Sequence, residues 1–216
     1  MRIVVATGNP HKVEEIRAVL APLGFTVLSL AETGRPVPPE PEEPHPTFEQ
    51  NARLKAVHYA RAVGEAVLAD DSGLEVDALG GAPGVHSARY AGDAGPRANT
   101  EKLLATMASV PDGARAARFR CVIVVVHAAR PEHALIVSGS CEGAIARAMR
   151  GAGGFGYDPV FELAPAELAT LPGRAASEQL TMAELEETEK NLVSHRGRAV
   201  RRLRAQWDEL EALSHT

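Results

Sequence analysis

Cysteine is scarce in this sequence, with only Cys121 and Cys141 among 216 residues. Two cysteines cannot build a disulfide framework, and neither stands at a zinc-ligand spacing. Each lies in an apolar, strand-like stretch, so both are expected to be buried, reduced and inert. No run of about 18 apolar residues occurs, which argues against a membrane-spanning helix. The chain opens directly on a strand pattern, without the charged and then apolar segments of a secretory leader. Positive charge is not in excess either. Lys and Arg number 23 against 28 Asp and Glu, a net charge of −5, whereas a dedicated nucleic-acid binder shows a basic balance. The one basic concentration, "SHRGRAVRRLRAQ", reads as a solvated helix face. A cytoplasmic protein is therefore expected, with neither nucleic acid nor membrane as a partner.

Hydrophobic residues make up 45% of the chain, enough for a substantial core. There is no internal repeat and no clear linker, so residues 1–216 read as a single domain. Helical and strand patterns alternate, which predicts an α/β fold with a mixed sheet. Residues 2–6 read as a buried strand, followed by a helix with Asn9 as N-cap and Pro10 at its first position. Val13, Ile16, Leu20 and Leu23 recur at helical spacing. Phe25–Leu30 reads as a second strand, and the Pro- and Glu-rich residues 32–46 as a stiff acidic loop. Thr47 and Gln50 form a capping box for a helix whose apolar stripe is Ala52, Ala56, Tyr59 and Val63. Residues 66–69 read as a strand ending at Asp70-Asp71-Ser72-Gly73, with a resumption at Leu74–Val76. Further helices are expected over Asn99–Ser109, behind a capping box of Thr181 and Glu184 as far as Lys190, and from Ser194. The last carries Val200, Leu203, Trp207 and Leu210 on one face. Strands are expected over Arg118–Ala129 and Leu135–Ala146, joined through "RPEH".

Four stretches carry chemistry. "TGNPHK", Thr7 to Lys12, places a glycine, short polar groups and a lysine where a strand hands over to a helix. Free backbone N–H groups and the helix dipole favour an anion there, although the spacing is not that of a Walker A loop. "ADDSGLEVD" puts two adjacent carboxylates, Asp70 and Asp71, at a strand end. Successive strand side chains face opposite ways, so one can face a ligand, hold Mg²⁺ or accept a proton, while the other supports it. "GAGGFGYDP" contains G-x-G-x-x-G but leads into an extended segment, so the dinucleotide fingerprint is rejected. Its Phe155 is suited to stacking on a base. In "EKNLVSHRGRA", His195 and Arg196 occupy the first turn of a helix, where cations oppose the dipole. This placement hints at a task, such as donation from Arg196 to a base carbonyl.

In this order, "ATGNPHK", "TFEQNARLKA", "ADDSGLEVDALGGAPGVHSARYAG", "GGFGYDPVF" and "SHRGRA" resemble the inosine triphosphate pyrophosphatase family over nearly the whole chain. The resemblance implies an elongated central mixed β-sheet flanked by helices, with two lobes around a nucleotide-binding cleft. It implies Mg²⁺-dependent hydrolysis of inosine, deoxyinosine and xanthosine triphosphates to monophosphate and pyrophosphate, and a homodimer. Carried over by motif, Thr7, Gly8, Asn9, Pro10, His11 and Lys12 would bind the triphosphate, with Lys55 and Arg89 as further phosphate contacts. Asp71 would be the proton acceptor and a metal ligand, and Ser72 a substrate contact. Glu43 matches the family's second metal ligand, with Glu40 and Glu42 as alternatives in the same loop. Phe155, Gly156, Tyr157 and Asp158 would frame the base and sugar, and Lys190, His195 and Arg196 would read the base. One departure is an Ala- and Pro-rich segment at about 163–180, expected to be a surface insertion. A related pyrophosphatase for modified pyrimidines is disfavoured by the "DDSG" and "SHRG" signatures. A nucleotide-binding regulator without turnover is disfavoured by the intact Asp71 and Lys12.

Overall fold

The computed structural model describes residues 2–206. Trp207 and Leu210, expected on the last helical face, lie outside the described residues. Six strands, β1 (Arg2–Val5), β2 (Thr26–Ser29), β3 (Ala66–Val76), β4 (Ala116–His127), β5 (Arg130–Ile145) and β6 (Phe161–Leu163), form one sheet in the order β2-β1-β3-β4-β5-β6. The helices are α1 (Pro10–Leu20), α2 (Phe48–Val63), α3 (Pro96–Thr106), α4 (Pro165–Leu168), α5 (Glu187–Val193) and α6 (His195–Ala205). β1 runs parallel to β2 and β3, and β5 antiparallel to β6, so the sheet is mixed as expected.

The chain divides into two compact units. Among the described residues, the first comprises 2–71, 121–139 and 196–206. Its core joins Ile3 and Val5 of β1, Val13, Ile16 and Leu20 of α1, Leu68 of β3 and alternate residues of β4, namely Cys121, Ile123 and Val125. Ala199, Val200 and Leu203 of α6 complete it. The period-3.6 apolar pattern of α1 buries one face of that helix, whereas β1 and the middle of β4 are continuously apolar and buried on both faces. The second unit comprises residues 72–120 and 140–195. Its core includes Leu74, Val76, Leu103, Phe119, Cys141, Tyr157, Phe161 and Val193. Both cysteines are buried, as expected. Burial, and then the charge of Asp70, pushes the Cys121 thiol up to about 12, so it stays a thiol at neutral pH.

Several local expectations change. β3 is continuous from Ala66 to Val76 and runs through Asp70-Asp71-Ser72-Gly73 without the anticipated turn. "RPEH" is not a connection. The turn is the Ala128-Ala129 pair, and Pro131 lies near the start of β5. The Thr181–Glu184 capping box is present but closes only a single 3₁₀ turn, Met182–Glu184. A second box, Glu186 with Glu189, starts α5 separately. Residues 163–180 are not wholly a surface feature, because Leu163, Leu168 and Leu171 are buried in the second core. Glu167 is buried too, and its carboxylate accepts the Glu142 N–H at 3.0 Å.

Candidate active site

In the first unit, β1 ends at Val5 and α1 begins at Pro10, so Thr7, Gly8 and Asn9 form the link. The Thr7 hydroxyl accepts from Asn9 N–H at 3.1 Å, and the Asn9 side chain caps α1 by accepting from His11 N–H at 3.0 Å. These bonds arise from neighbours in sequence, which is why the motif was legible. Gly8, Pro10 and His11 are exposed. Lys12 is in the first turn of α1, and its Nζ lies 3.0 Å from Oδ2 of Asp70.

Asp70 is the buried anchor of this cluster. Its Oδ2 also accepts from Nε of Arg196 at 3.3 Å, and Arg196 makes a second ion pair, with Glu15 of α1. Burial raises the Asp70 carboxyl, but Lys12, Arg196 and Lys55 together override it and hold the carboxyl well below the usual range. Arg196 is 2% exposed, and its pKa is raised, since Asp70 and Glu15 outweigh the cost of burying its charge. Its Nε and Nη1 are engaged with these carboxylates. Arg196 comes from α6, and sequence reasoning saw only its neighbour His195, not Asp70 or Glu15.

Asp71 points to a different partner. Lys55, buried on α2, has its Nζ 2.5 Å from Oε1 of Glu43 and 3.8 Å from Oδ1 of Asp71. Burial opposes the lysine's charge, but Asp71, Asp70 and Glu43 more than offset this and raise its pKa. Asp71 is pushed up to about 6, first by burial and then by Glu43 and Asp70, with Lys55 and Lys12 acting the other way. Of the three loop glutamates, Glu43 is the one paired with Lys55, while Glu40 and Glu42 are exposed.

Glu43, Asp71 and Lys55 sum to one negative charge, and the Asp71 carboxyl is raised chiefly by burial, with Glu43 and Asp70 adding to it. Two hard carboxylate donors with a surplus negative charge fit Mg²⁺, which is held by one or two carboxylates together with substrate phosphates. Among the described residues no group of three Asp, Glu, His or Cys side chains that could hold a metal ion occurs.

The second unit holds the glycine loop. The Asp158 carboxylate, through Oδ2, accepts the Phe155 N–H at 2.9 Å and pairs with Nζ of Lys190 at 2.6 Å. That ammonium lies 5.0 Å from the Phe155 ring centroid. Gly154 has φ of +74°, and a Cβ there would fall 2.2 Å from Oδ2 of Asp158. The glycine is what lets the carboxylate fold back over its own loop. Tyr157 is buried in the core of this unit, with its hydroxyl donating to the Ser87 carbonyl at 2.9 Å. Gly156 offers its carbonyl to the Thr100 hydroxyl at 3.1 Å. The His195 ring stacks on Phe119 with centroids 4.9 Å apart and a 14° interplanar angle. Arg89, itself exposed, ends the 3₁₀ turn Gly84–Arg89, and Ser72 lies on β3 beside Asp71.

A Ham1 family model matches residues 3–206. The chain belongs to the Ham1 family. It is 47% identical over 202 residues to a dITP/XTP pyrophosphatase of Thioalkalivibrio sulfidiphilus, covering 93% of this chain and 95% of that one. It is also 47% identical over 209 residues to the protein of the same name from Geobacillus kaustophilus, covering 96% and 95%. Among solved structures, a HAM1 protein from Coxiella burnetii superposes with a TM-score of 0.82 at 38% identity, covering 97% of this Ham1-family chain and 99% of that one. The Staphylococcus aureus Ham1 protein gives 0.79 at 36% identity with the same coverage.

Proposed function

We propose that this Ham1-family chain is a nucleoside triphosphate pyrophosphatase that clears inosine, deoxyinosine and xanthosine triphosphates from the cytoplasmic nucleotide pool. The observation that carries the reading is the clustering of Lys12, Asp70, Lys55, Glu43 and Asp71 beside a capped helix N-terminus. The names of the curated relatives, dITP/XTP pyrophosphatase, support it.

Thr7 to Lys12 take the triphosphate, with backbone amides and the Lys12 ammonium balancing its charge. Lys55 and Arg89 are assigned as further phosphate contacts, and Ser72 as a substrate contact. Glu43 and Asp71 would hold Mg²⁺. When bound, the ion neutralises phosphate oxygens and lowers the pKa of a coordinated water. Asp71 accepts the proton as the water oxygen forms its bond to the α-phosphorus. The bond from that phosphorus to the α–β bridging oxygen breaks, and the electron pair leaves with pyrophosphate.

Base choice follows from polarity. Lys190 is a donor and the Asp158 carboxylate an acceptor, 2.6 Å apart. A 6-keto purine with a protonated N1 offers the complementary acceptor and donor, whereas adenine offers the reverse pair; guanine shares the 6-keto edge, so its refusal rests on its 2-amino group. Phe155 is assigned to stacking and His195 to the same end of the substrate. The enzyme acts as a homodimer in this reading.

Pyrophosphate release with Mg²⁺, measured side by side on inosine, xanthosine, guanosine and adenosine triphosphates, tests the proposal. Fast release from the first two alone is expected. Release of orthophosphate, or no release from any of them, would remove it.

A further inference from the structure

Asn51 lies one turn into α2 and is 0% exposed. Its Oδ1 accepts from the His45 N–H and its Nδ2 donates to the His45 carbonyl, both at 3.1 Å. One side chain thus takes both backbone polar groups of one loop residue, and the two ends of an amide have the opposite polarities this requires. His45 cannot slide or rotate without breaking both bonds. Glu43 is two residues upstream. Pro44 and Pro46 flank His45 and have restricted φ, so the orientation set at His45 is carried to Glu43 with little slack. A second tie holds the upstream side of the loop, where the His58 ring Nε2 lies 2.9 Å from the Pro39 carbonyl oxygen. Among the described residues no helix or strand runs through 34–46, so these ties from α2 stand in for regular structure.

A polar side chain this deep is costly unless satisfied. The apolar buried positions of α2, Phe48, Ala52, Ala56, Tyr59, Ala60 and Val63, pack without an amide. The chain uses the device again. Asn99, at the equivalent position of α3 and 2% exposed, accepts from Ala91 N–H at 2.6 Å and donates to the Ala88 carbonyl at 2.9 Å, so its bonds bracket Arg89.

We infer that Asn51 is a positioning residue for the divalent cation, setting the Glu43 carboxylate beside Lys55 and Asp71 by clamping His45. The inference rests on the reading of Glu43 as a cation ligand.

Mn²⁺ alone, titrated into the full-length protein and followed by the electron paramagnetic resonance of the free ion, tests it. Wild type is compared with Asn51→Ala, Asn51→Leu, Glu43→Gln and the Glu43→Gln/Asn51→Ala double variant, each checked for folding by circular dichroism. Loss of a residue that orients a metal ligand costs on the order of 10–100-fold in metal affinity. Both Asn51 variants and Glu43→Gln should weaken binding by at least about tenfold, and the double variant should bind no more weakly than Glu43→Gln. If Asn51→Ala does not fold, Asn51→Leu, which keeps the number and branching of the side-chain heavy atoms, carries the same comparison. An Asn51 variant that binds like wild type, or a double variant showing the product of both losses, overturns the inference while the role of Glu43 stands. Equal binding by wild type and Glu43→Gln overturns the reading of Glu43 itself.

Discussion

Nζ of Lys12, in the first turn of α1, lies 3.0 Å from the buried Oδ2 of Asp70 on β3. The lysine expected to meet the triphosphate is therefore held from behind by a carboxylate. Arg196 shares that carboxylate, so Lys12 does not have to neutralise Asp70 alone. Lys12→Ala is expected to lower kcat/KM about 10²-fold and equally for inosine and xanthosine triphosphates, because the lost charge acts on phosphate and not on base. A change in the ratio of the two substrates would place Lys12 elsewhere.

Asp71→Asn should abolish pyrophosphate release and at the same time stabilise the metal-free protein. The folded carboxyl titrates near 6, above its unfolded value of 3.8. Between these values the unfolded state has already lost the proton that the folded state keeps, so stability falls as pH rises, and the penalty is complete above about pH 6. Asparagine cannot ionise and removes it. Denaturant unfolding in chelator at pH 7.5 should show a gain on the order of 1–3 kcal/mol that vanishes below pH 4. An equal gain at both pH values would refute the electrostatic cause.

Arg196→Ala leaves Glu15 and the fully buried Asp70 short of a cation. Breaking a buried pair by removing one partner costs roughly 3–5 kcal/mol, so the midpoint of thermal unfolding should fall by many degrees. Arg196→Lys should recover only part of the loss, because an ammonium cannot reproduce a planar donor fork. A neutral Arg196→Ala would mean that the two carboxylates find other compensation.

Gly154→Ala forces a Cβ against Oδ2 of Asp158 at a backbone φ of +74°, so the carboxylate must leave either the Phe155 N–H or Lys190. KM for inosine triphosphate should rise roughly tenfold or more with the fold intact, an effect equivalent to losing about one charge-assisted hydrogen bond. Lys190→Met should instead narrow the preference for inosine over adenosine triphosphate, since it deletes the donor and keeps the stem. An unchanged preference would move base reading away from Lys190.

Elements governed by near neighbours were legible in the sequence. The Asn9 cap with Pro10, the Thr47 cap of α2 and the apolar stripes of both helices depend on contacts three or four residues apart, and the structure has them where expected. The likeness to a family was legible for the same reason, since its motifs are short and ordered. Long-range pairing decided the rest. Asp70-Asp71-Ser72-Gly73 has turn composition, yet β3 continues through it, because sheet pairing and burial outweigh a weak local preference. Proline marked "RPEH" as a loop, although it is tolerated near a strand start, and the turn falls two residues earlier. Nothing in "PEPEEPHP" distinguishes its glutamates. Only the bonds from Asn51, Lys55 and His58 to that loop bring Glu43 to the buried lysine. Arg196 follows His195 in the chain, but its partners Glu15 and Asp70 are 181 and 126 residues away. Charges brought together from three distant segments set one another's ionisation through burial, and a linear pattern does not contain that distance or that dielectric.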